Sequence, residues 1–251
     1  MASKLSIVVI TFNEERNIDR CLKAAEAVAD DIVVLDSFST DRTMEICKSY
    51  GVTFIQSAWK GYGLTKNEAN LAAKHDYILS IDADEVLSPE LIKSIKKEKE
   101  KGFDGVYEVH RLTNYCGHWI KHGGWYPDKK IRLFSKTMAA WNHEMVHEEV
   151  VLKEPQQTKL LAGDLFHYSY YTQADHWAKA VKYSHLTAEK LFKNGRTTWF
   201  LHPAISAVSR FLAMYIIKLG FLDGRAGFTI AWISAKANYV KYDALIELQK
   251  N

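Results

Sequence analysis

Ile78-Leu79-Ser80-Ile81-Asp82-Ala83-Asp84-Glu85 is an apolar run of strand length that ends in two carboxylates one residue apart, with a third directly after. Carboxylates at the C-terminal end of a buried strand are costly unless they face something positive. A divalent cation that also holds phosphate oxygens is the usual solution for hard oxygen ligands. Alone, the Asp-x-Asp pattern is weak, because three residues recur by chance and Asp pairs also cap helices. Its weight comes from what flanks it.

Upstream, Leu5–Phe12, Asp31–Asp36 and Val52–Gln56 read as further buried strands, rich in β-branched residues. Helices are expected between them, over residues 14–27 (Ile18, Leu22 and Ala25 at helical spacing), 40–50 and 64–74. Ser39 or Thr40 is the expected N-cap of the second. Tyr77–Ile81 is the fourth strand, and Pro89 opens a helix that ends in the charge run 96–101, a solvated face. Alternating strands and helices with continuous apolar strands imply an α/β fold, a mostly parallel Rossmann-like sheet covered by helices on both faces.

After Gly102 the pattern changes to short alternating strands at Val106–Arg111, Lys130–Phe134 and Val146–Leu152, with a Gly/Trp/Tyr-rich loop at 117–128. From Thr172 onward the chain reads as helix. The expected division is residues 1–170 as the sheet domain and 171–251 as a helical extension.

The first glycine is Gly51, so no Gly-rich phosphate loop follows the first or second strand. That excludes a dinucleotide fingerprint and a Walker-type loop there. In open α/β sheets ligands sit at the carboxyl ends of strands. Three such ends are polar here: Thr11–Glu14, Asp36 and Asp82–Asp84. An amide and carboxylates in that place suit a base and a ribose; equally, Asn13 and Glu14 can serve as helix caps.

With 251 residues, 47% apolar and 25% charged, the chain is long enough for a sizeable core. A formal charge of +3 does not argue for nucleic acid, and none is expected as a partner. Residues 160–251 carry 11 Lys and Arg against 6 Asp and Glu, a net +5 that belongs to the part with the longest apolar stretches. Cys21, Cys47 and Cys116 are odd in number and lack a Cys-x-x-Cys, as in a reducing compartment. The six-residue, mostly apolar run Leu5–Ile10 does not make a signal peptide, so a cytoplasmic location is expected.

Taken together, Ser6-Ile7-Val8-Val9-Ile10-Thr11-Phe12-Asn13-Glu14-Glu15, Val34-Leu35-Asp36-Ser37-Phe38-Ser39-Thr40-Asp41-Arg42-Thr43, Lys66-Asn67 and Asp82-Ala83-Asp84 resemble family 2 glycosyltransferases of the GT-A fold. Gly123-Gly124-Trp125-Tyr126-Pro127-Asp128, Arg132-Leu133-Phe134, Val146-His147-Glu148 and Gly163-Asp164-Leu165-Phe166-His167-Tyr168 look like the subgroup related to lipopolysaccharide-core β-glucosyltransferases. The resemblance implies an inverting transferase using a nucleotide-diphosphate sugar, with UDP favoured, a divalent metal (Mg²⁺ or Mn²⁺), and a glycan or glycolipid acceptor. It assigns Thr11, Asn13, Glu14, Asp36, Lys66 and Asp82 to the donor pocket, Asp84 and His167 to the metal, and Glu148 to the general base. Asp128, Glu144 and Glu149 are rival bases. The alternative class is a non-catalytic nucleotide- or carbohydrate-binding protein on the same fold.

Individual residues also have plainer readings. Asp128 follows a proline in a turn-like segment. His143 and His147 have metal-pair spacing for a helix, but their segment reads as a strand. His167 between two aromatics resembles a core histidine, and Trp119, Trp125 and Tyr126, aromatics beside glycines in a loop, are expected to stack on sugar faces rather than simply pack. In the tail, Ala204–Leu222 is apolar except for Ser206, Ser209, Arg210 and Lys218. Were it one continuous helix, Arg210, Lys218 and Arg225 would fall within about 80° of one another, a cationic stripe. The expectation is peripheral association with the inner face of an anionic cytoplasmic membrane, against simple packing of the helices.

Overall fold

The computed structural model describes residues 2–142 and 148–250. In chain order its elements begin β1 (Leu5–Thr11), α1 (Ile18–Ala25), β2 (Asp31–Asp36), α2 (Thr43–Ser49), β3 (Thr53–Gln56), α3 (Tyr62–Leu71), β4 (Tyr77–Asp82), β5 (Glu85–Leu87) and α4 (Pro89–Lys101). They continue with β6 (Val106–Tyr115), β7 (His118–Trp119), β8 (Asp128–Ser135), β9 (Ala139–Trp141), β10 (Val150–Leu152), β11 (Thr158–Tyr170), α5 (Gln173–Lys193), α6 (His202–Leu212) and α7 (Gly224–Lys250).

The main sheet runs β3-β2-β1-β4-β8-β6-β11-β5, with β7 on β6. β3, β2, β1 and β4 are mutually parallel, while β8 joins β4, and β6 joins β8, antiparallel. The side-chain period of two divides the apolar strands between two cores. Ile7, Val9, Val34, Leu79 and Ile81 face Ile18 and Leu22 of α1 and Leu91 and Ile95 of α4. Val8, Ile10, Val33, Leu35 and Ile78 face Ala69 of α3, Phe134 and Trp141. Strands buried on both faces explain why they read as unbroken hydrophobic runs. Each such aliphatic side chain contributes ~1.5–3 kcal/mol on burial.

The α/β sheet with helices on both faces is the expected fold, with differences at its edges. α2 begins at Thr43 rather than near residue 40, because the polar atoms of 39–41 are bonded to the loop after β1. Of the strand expected at Val146–Leu152, Val150–Leu152 is present and pairs with β9; residues 143–147 lie outside those described.

Two compact units divide the chain: Met1–Arg111 with Asp128–His167, and Leu112–Pro127 with Tyr168–Asn251. The division differs from a cut at residue 170, since the Gly/Trp/Tyr-rich excursion belongs with the helical unit. There Tyr115, Ile120, Met214, Ala226, Ile230 and Ala231 form a core of their own. Trp125 packs edge-on to Tyr115, with ring centroids 5.9 Å apart, so it is a packing residue of that core. α5 is closed by a reciprocal capping box between Thr172 and Asp175.

The tail is not one long helix. After α6 come a wide turn at Ala213–Ile217, a left-handed Leu219 (φ 57°) and a 3₁₀ turn at Gly220–Asp223. The cationic stripe expected from a continuous helix is therefore broken between Arg210 and Arg225. Among the described residues no single helix is long and apolar enough to cross a membrane; His202–Ile217 and Gly220–Lys250 reach that composition only as a pair bent by 74°.

Candidate active site

Register brings the parallel strand ends level. Thr11 pairs with Asp36, Asp36 with Gln56, and Ile10 with Asp82. The sheet thus delivers to one edge the three polar strand ends noted in the sequence.

At the first two, the polar atoms knit the loops together. Asn13 takes a left-handed conformation (φ 53°); its backbone N donates to Ser39 Oγ at 2.8 Å, and its Oδ1 accepts from Thr40 N at 2.8 Å. Glu14 N donates to Thr43 Oγ1 at 2.8 Å, and Glu14 Oε2 accepts from Asn17 Nδ2 at 2.6 Å. Asp36 is wholly buried, its carboxylate accepting from Ser39 N, Ser39 Oγ and Gln56 Nε2. These side chains set the shape of the loops, and the shape pushes two aromatic rings outward. Phe12 and Phe38 are each 55% exposed at neighbouring strand ends, and Thr11 Oγ1 is buried without a hydrogen-bond partner.

At the end of β4 the chemistry is ionic. Lys66 on α3 is 1% exposed, with its Nζ 2.9 Å from Asp82 Oδ1 and 3.5 Å from Glu148 Oε1, and 4.2 Å from the centre of the Trp141 ring. Arg132 on β8 lies on the same indole at 5.4 Å and places Nη2 2.7 Å from Glu85 Oε1 and 3.5 Å from Asp82 Oδ2. Arg111 on β6 bridges Glu85 (3.5 Å) and Asp128 (2.8 Å), and Lys130 meets Asp128 at 3.2 Å. Burial acts to raise the Asp82 carboxyl, but Lys66 and Arg132 outweigh it and hold Asp82 well below the usual carboxylate range. Burial likewise opposes charge on Arg132, and Glu85 and Asp82 more than restore it.

The backbone explains why these groups converge. Asp82 N donates to Glu85 Oε2 at 3.1 Å, closing the tight Asp82–Glu85 turn. β5 then pairs antiparallel with β11, setting His167 opposite Glu85. The result is His167 Nε2 3.3 Å from Asp84 Oδ2. Two neighbouring ligands of one hard cation bound at ~2.1 Å stand ~3 Å apart, so this pair fits one side of a Mg²⁺ or Mn²⁺ shell that phosphate oxygens and water would complete. No set of three or more metal-binding side chains occurs among the described residues.

Asn67 clamps Trp141 by two bonds, Nδ2 to Trp141 O and Trp141 N to Oδ1, and Trp141 Nε1 donates to Ser80 Oγ. Gly63 permits this: a Cβ there would lie 1.8 Å from Asn142 O. Next to the clamp, Asn142 pairs with Glu149, the neighbour of Glu148, and Lys66 over the Trp141 ring reaches Glu148 itself. Of the rival bases, Asp128 has Oδ2 on Arg111 and Oδ1 on Lys130, and Glu149 is exposed, with its backbone paired to Asn142. Glu144, His143 and His147 fall outside the described residues.

The structure therefore gathers Lys66, Asp82, Asp84, Asp128, Glu148 and His167 around the end of β4, with Thr11, Asn13, Glu14 and Asp36 along the same edge. Sequence reasoning gave no role to Glu85, Arg111, Arg132 or Trp141. Arg132 had a detectable signal, a charge set between Ile131 and Leu133 in an otherwise apolar strand.

A level row of parallel strand ends with an Asp-x-Asp turn beside it is the arrangement of the GT-A glycosyltransferases. Residues 6–153 match the model of the family described as glycosyl transferase family 2, and the chain belongs to that family. An uncharacterized glycosyltransferase of Rickettsia typhi is 31% identical over 255 residues, covering 98% of this chain and 87% of the relative. The lipopolysaccharide core biosynthesis glycosyltransferase LpsC of Rhizobium meliloti is 25% identical over 253 residues, 95% and 93% of the two chains. Among solved structures, S. aureus TarS residues 1–349 in complex with UDP aligns over 98% of this chain and 91% of its own, at 15% identity and a TM-score of 0.49.

Proposed function

We propose that this glycosyltransferase is an inverting, metal-assisted enzyme that moves a sugar from a UDP-sugar to a lipid-linked glycan or a lipopolysaccharide-core acceptor. The observation that carries the reading is the Asp84–His167 pair, 3.3 Å apart at the end of β4, beside the Lys66–Asp82 ion pair. Around it Asp82, Asp84, Glu85, Asp128 and Glu148 outnumber Lys66, Arg111, Lys130 and Arg132, so the cluster keeps an excess of negative charge that favours a cation.

In this reading Phe12 and Phe38 offer ring faces to the base, and the buried Thr11 hydroxyl and Asp82 serve the nucleoside. Asn13, Glu14 and Asp36 act mainly by holding those loops in shape. Asp84 and His167 hold the metal, whose chemistry is to neutralise the departing diphosphate. Lys66 adds positive charge close by. Glu148 takes the proton of the acceptor hydroxyl while that oxygen bonds the anomeric carbon from the face opposite the breaking bond to the diphosphate. Base assistance of this kind is commonly worth ~10²–10⁴-fold. The lipopolysaccharide-core acceptor class is supported by similarity to LpsC over nearly the whole chain. A lipid-linked acceptor goes with peripheral residence on the inner face of the cytoplasmic membrane.

The test is thermal shift against UDP-, GDP-, CMP- and dTDP-sugars, with and without Mn²⁺. Stabilisation by UDP-sugars that chelator removes supports the donor and the metal. Equal stabilisation with and without chelator overturns the metal reading, and a preference for another nucleotide overturns the donor.

A further inference from the structure

We propose that α6 lies in the plane of a bilayer surface, with one apolar stripe inserted among the acyl chains of an anionic leaflet. The proposal rests on the peripheral reading above and names the surface responsible. Leu201, Ile205, Val208 and Leu212 are all exposed, and their spacing of four, three and four residues places them within about 60° of one another at 100° per residue; exposed Ile216 follows in the wide turn beyond α6. Leu201 to Leu212 covers ~17 Å of helix.

What makes this face unusual is that the helix is inverted. The side of α6 turned inward carries Pro203 and Ser206, the latter accepting from Asn238 Nδ2 on α7. α7 repeats the pattern in part: Ala226, Gly227, Ala231 and Ala235 are buried together with Ile230 and Ile233, whereas Phe228, Trp232 and Tyr239 are exposed. Small residues make up much of the inward faces, and many of the large apolar side chains are left outside. In water that arrangement forfeits the main driving force for folding. Against lipid it is favourable, since acyl chains take up the outward side chains.

Charge selects an anionic bilayer over an apolar protein surface. Across residues 195–242 the only acidic residue is Asp223, and its carboxylate accepts from Lys121 N and His122 N. Arg196, Arg210, Lys218, Arg225 and Lys236 are all exposed in the same stretch. Exposed Trp199 and Trp232 are of the amphipathic type that settles at the headgroup level. The 74° bend and the interspersed cations favour lying on the membrane over crossing it.

The experiment is flotation of the full chain with phosphatidylglycerol-containing vesicles and with purely zwitterionic ones. Ile205→Glu/Leu212→Glu is the test variant, and Leu71→Glu on α3, 83% exposed in the other unit, is the matched control. UDP-sugar thermal shift confirms that each variant is folded. The expected result is flotation of wild type and Leu71→Glu with anionic vesicles, and at least a tenfold lower bound fraction for the α6 variant. If wild type floats and the α6 variant floats equally, this surface is wrong while the peripheral reading stands. If wild type stays unbound at low salt, both fall. A lipid-free dimer in light scattering that Ile205→Glu/Leu212→Glu dissociates, without flotation of wild type, overturns the proposal in favour of self-association.

Discussion

Arg132 Nη2 stands 2.7 Å from Glu85 Oε1, and both side chains are almost wholly buried beneath the Asp82–Asp84 turn. Removing one partner of a buried pair strands the other charge, which typically costs ~3–5 kcal/mol. Glu85→Gln and Arg132→Met should each lower the urea midpoint by that order. The double change Glu85→Gln/Arg132→Met should lose clearly less than the sum of the two. Additive losses would show that the two groups do not act as a pair.

Asp84→Ala should leave the thermal midpoint near wild type, because the side chain is partly exposed and ends a turn. It should abolish transfer and make donor binding insensitive to Mn²⁺, as read by calorimetry with and without chelator. Normal turnover in this variant would remove the metal assignment.

Glu148→Gln keeps shape and hydrogen bonding but cannot accept a proton. Turnover should fall ~10²-fold or more with donor affinity nearly unchanged. Asp128→Asn is the counterpart, and it should act mainly by loosening Arg111. Should Asp128→Asn be inactive and Glu148→Gln retain most of its turnover, the base is Asp128.

Gly63→Ala should disturb the site from a distance. Its methyl would meet Asn142 O at 1.8 Å, so β9 and α3 must part and the Asn67–Trp141 clamp must loosen. Overpacking of this kind costs ~1–3 kcal/mol. Reduced turnover together with a lower thermal midpoint is expected. Unchanged kinetics would show that the clamp does not position Glu148.

His176 bears on pH. Burial, with a smaller contribution from Lys179, lowers its pKa from 6.5 to about 4, and its Nδ1 lies 3.1 Å from the Tyr115 hydroxyl. The unfolded chain therefore binds a proton between those two values that the folded one refuses. The stability contributed is complete above about pH 6.5 and drains away as pH falls toward 4. Thermal midpoints of wild type should drop through that window, and His176→Gln should flatten the drop. A parallel decline in both would place the titration elsewhere.

The parallel half of the sheet was legible because strands buried on both faces leave a continuous apolar signature, and Ile78–Asp82 is its clearest case. The row Thr11, Asp36, Asp82 was legible too, since strand ends in such a sheet fall on one edge. The two-bond clamp of Asn67 on Trp141 was not, because 74 residues separate its partners. Nor was the break in the tail: apolar composition is the same whether α6 runs on or stops, and the left-handed Leu219 depends on packing around Gly220.

Local sequence by itself determined which segments are buried strands, which carboxylates stand at their ends, and that no glycine-rich phosphate loop follows the first two. Period and composition are properties of neighbouring residues, and local physics suffices to read them. Only the tertiary structure decided that His167 comes to Asp84, that Lys66 and Arg132 share the face of one indole, and that Asp36 is spent on its own loop. Those outcomes follow from antiparallel register and from the cost of burying unpaired charge, and both are settled between segments far apart in the chain.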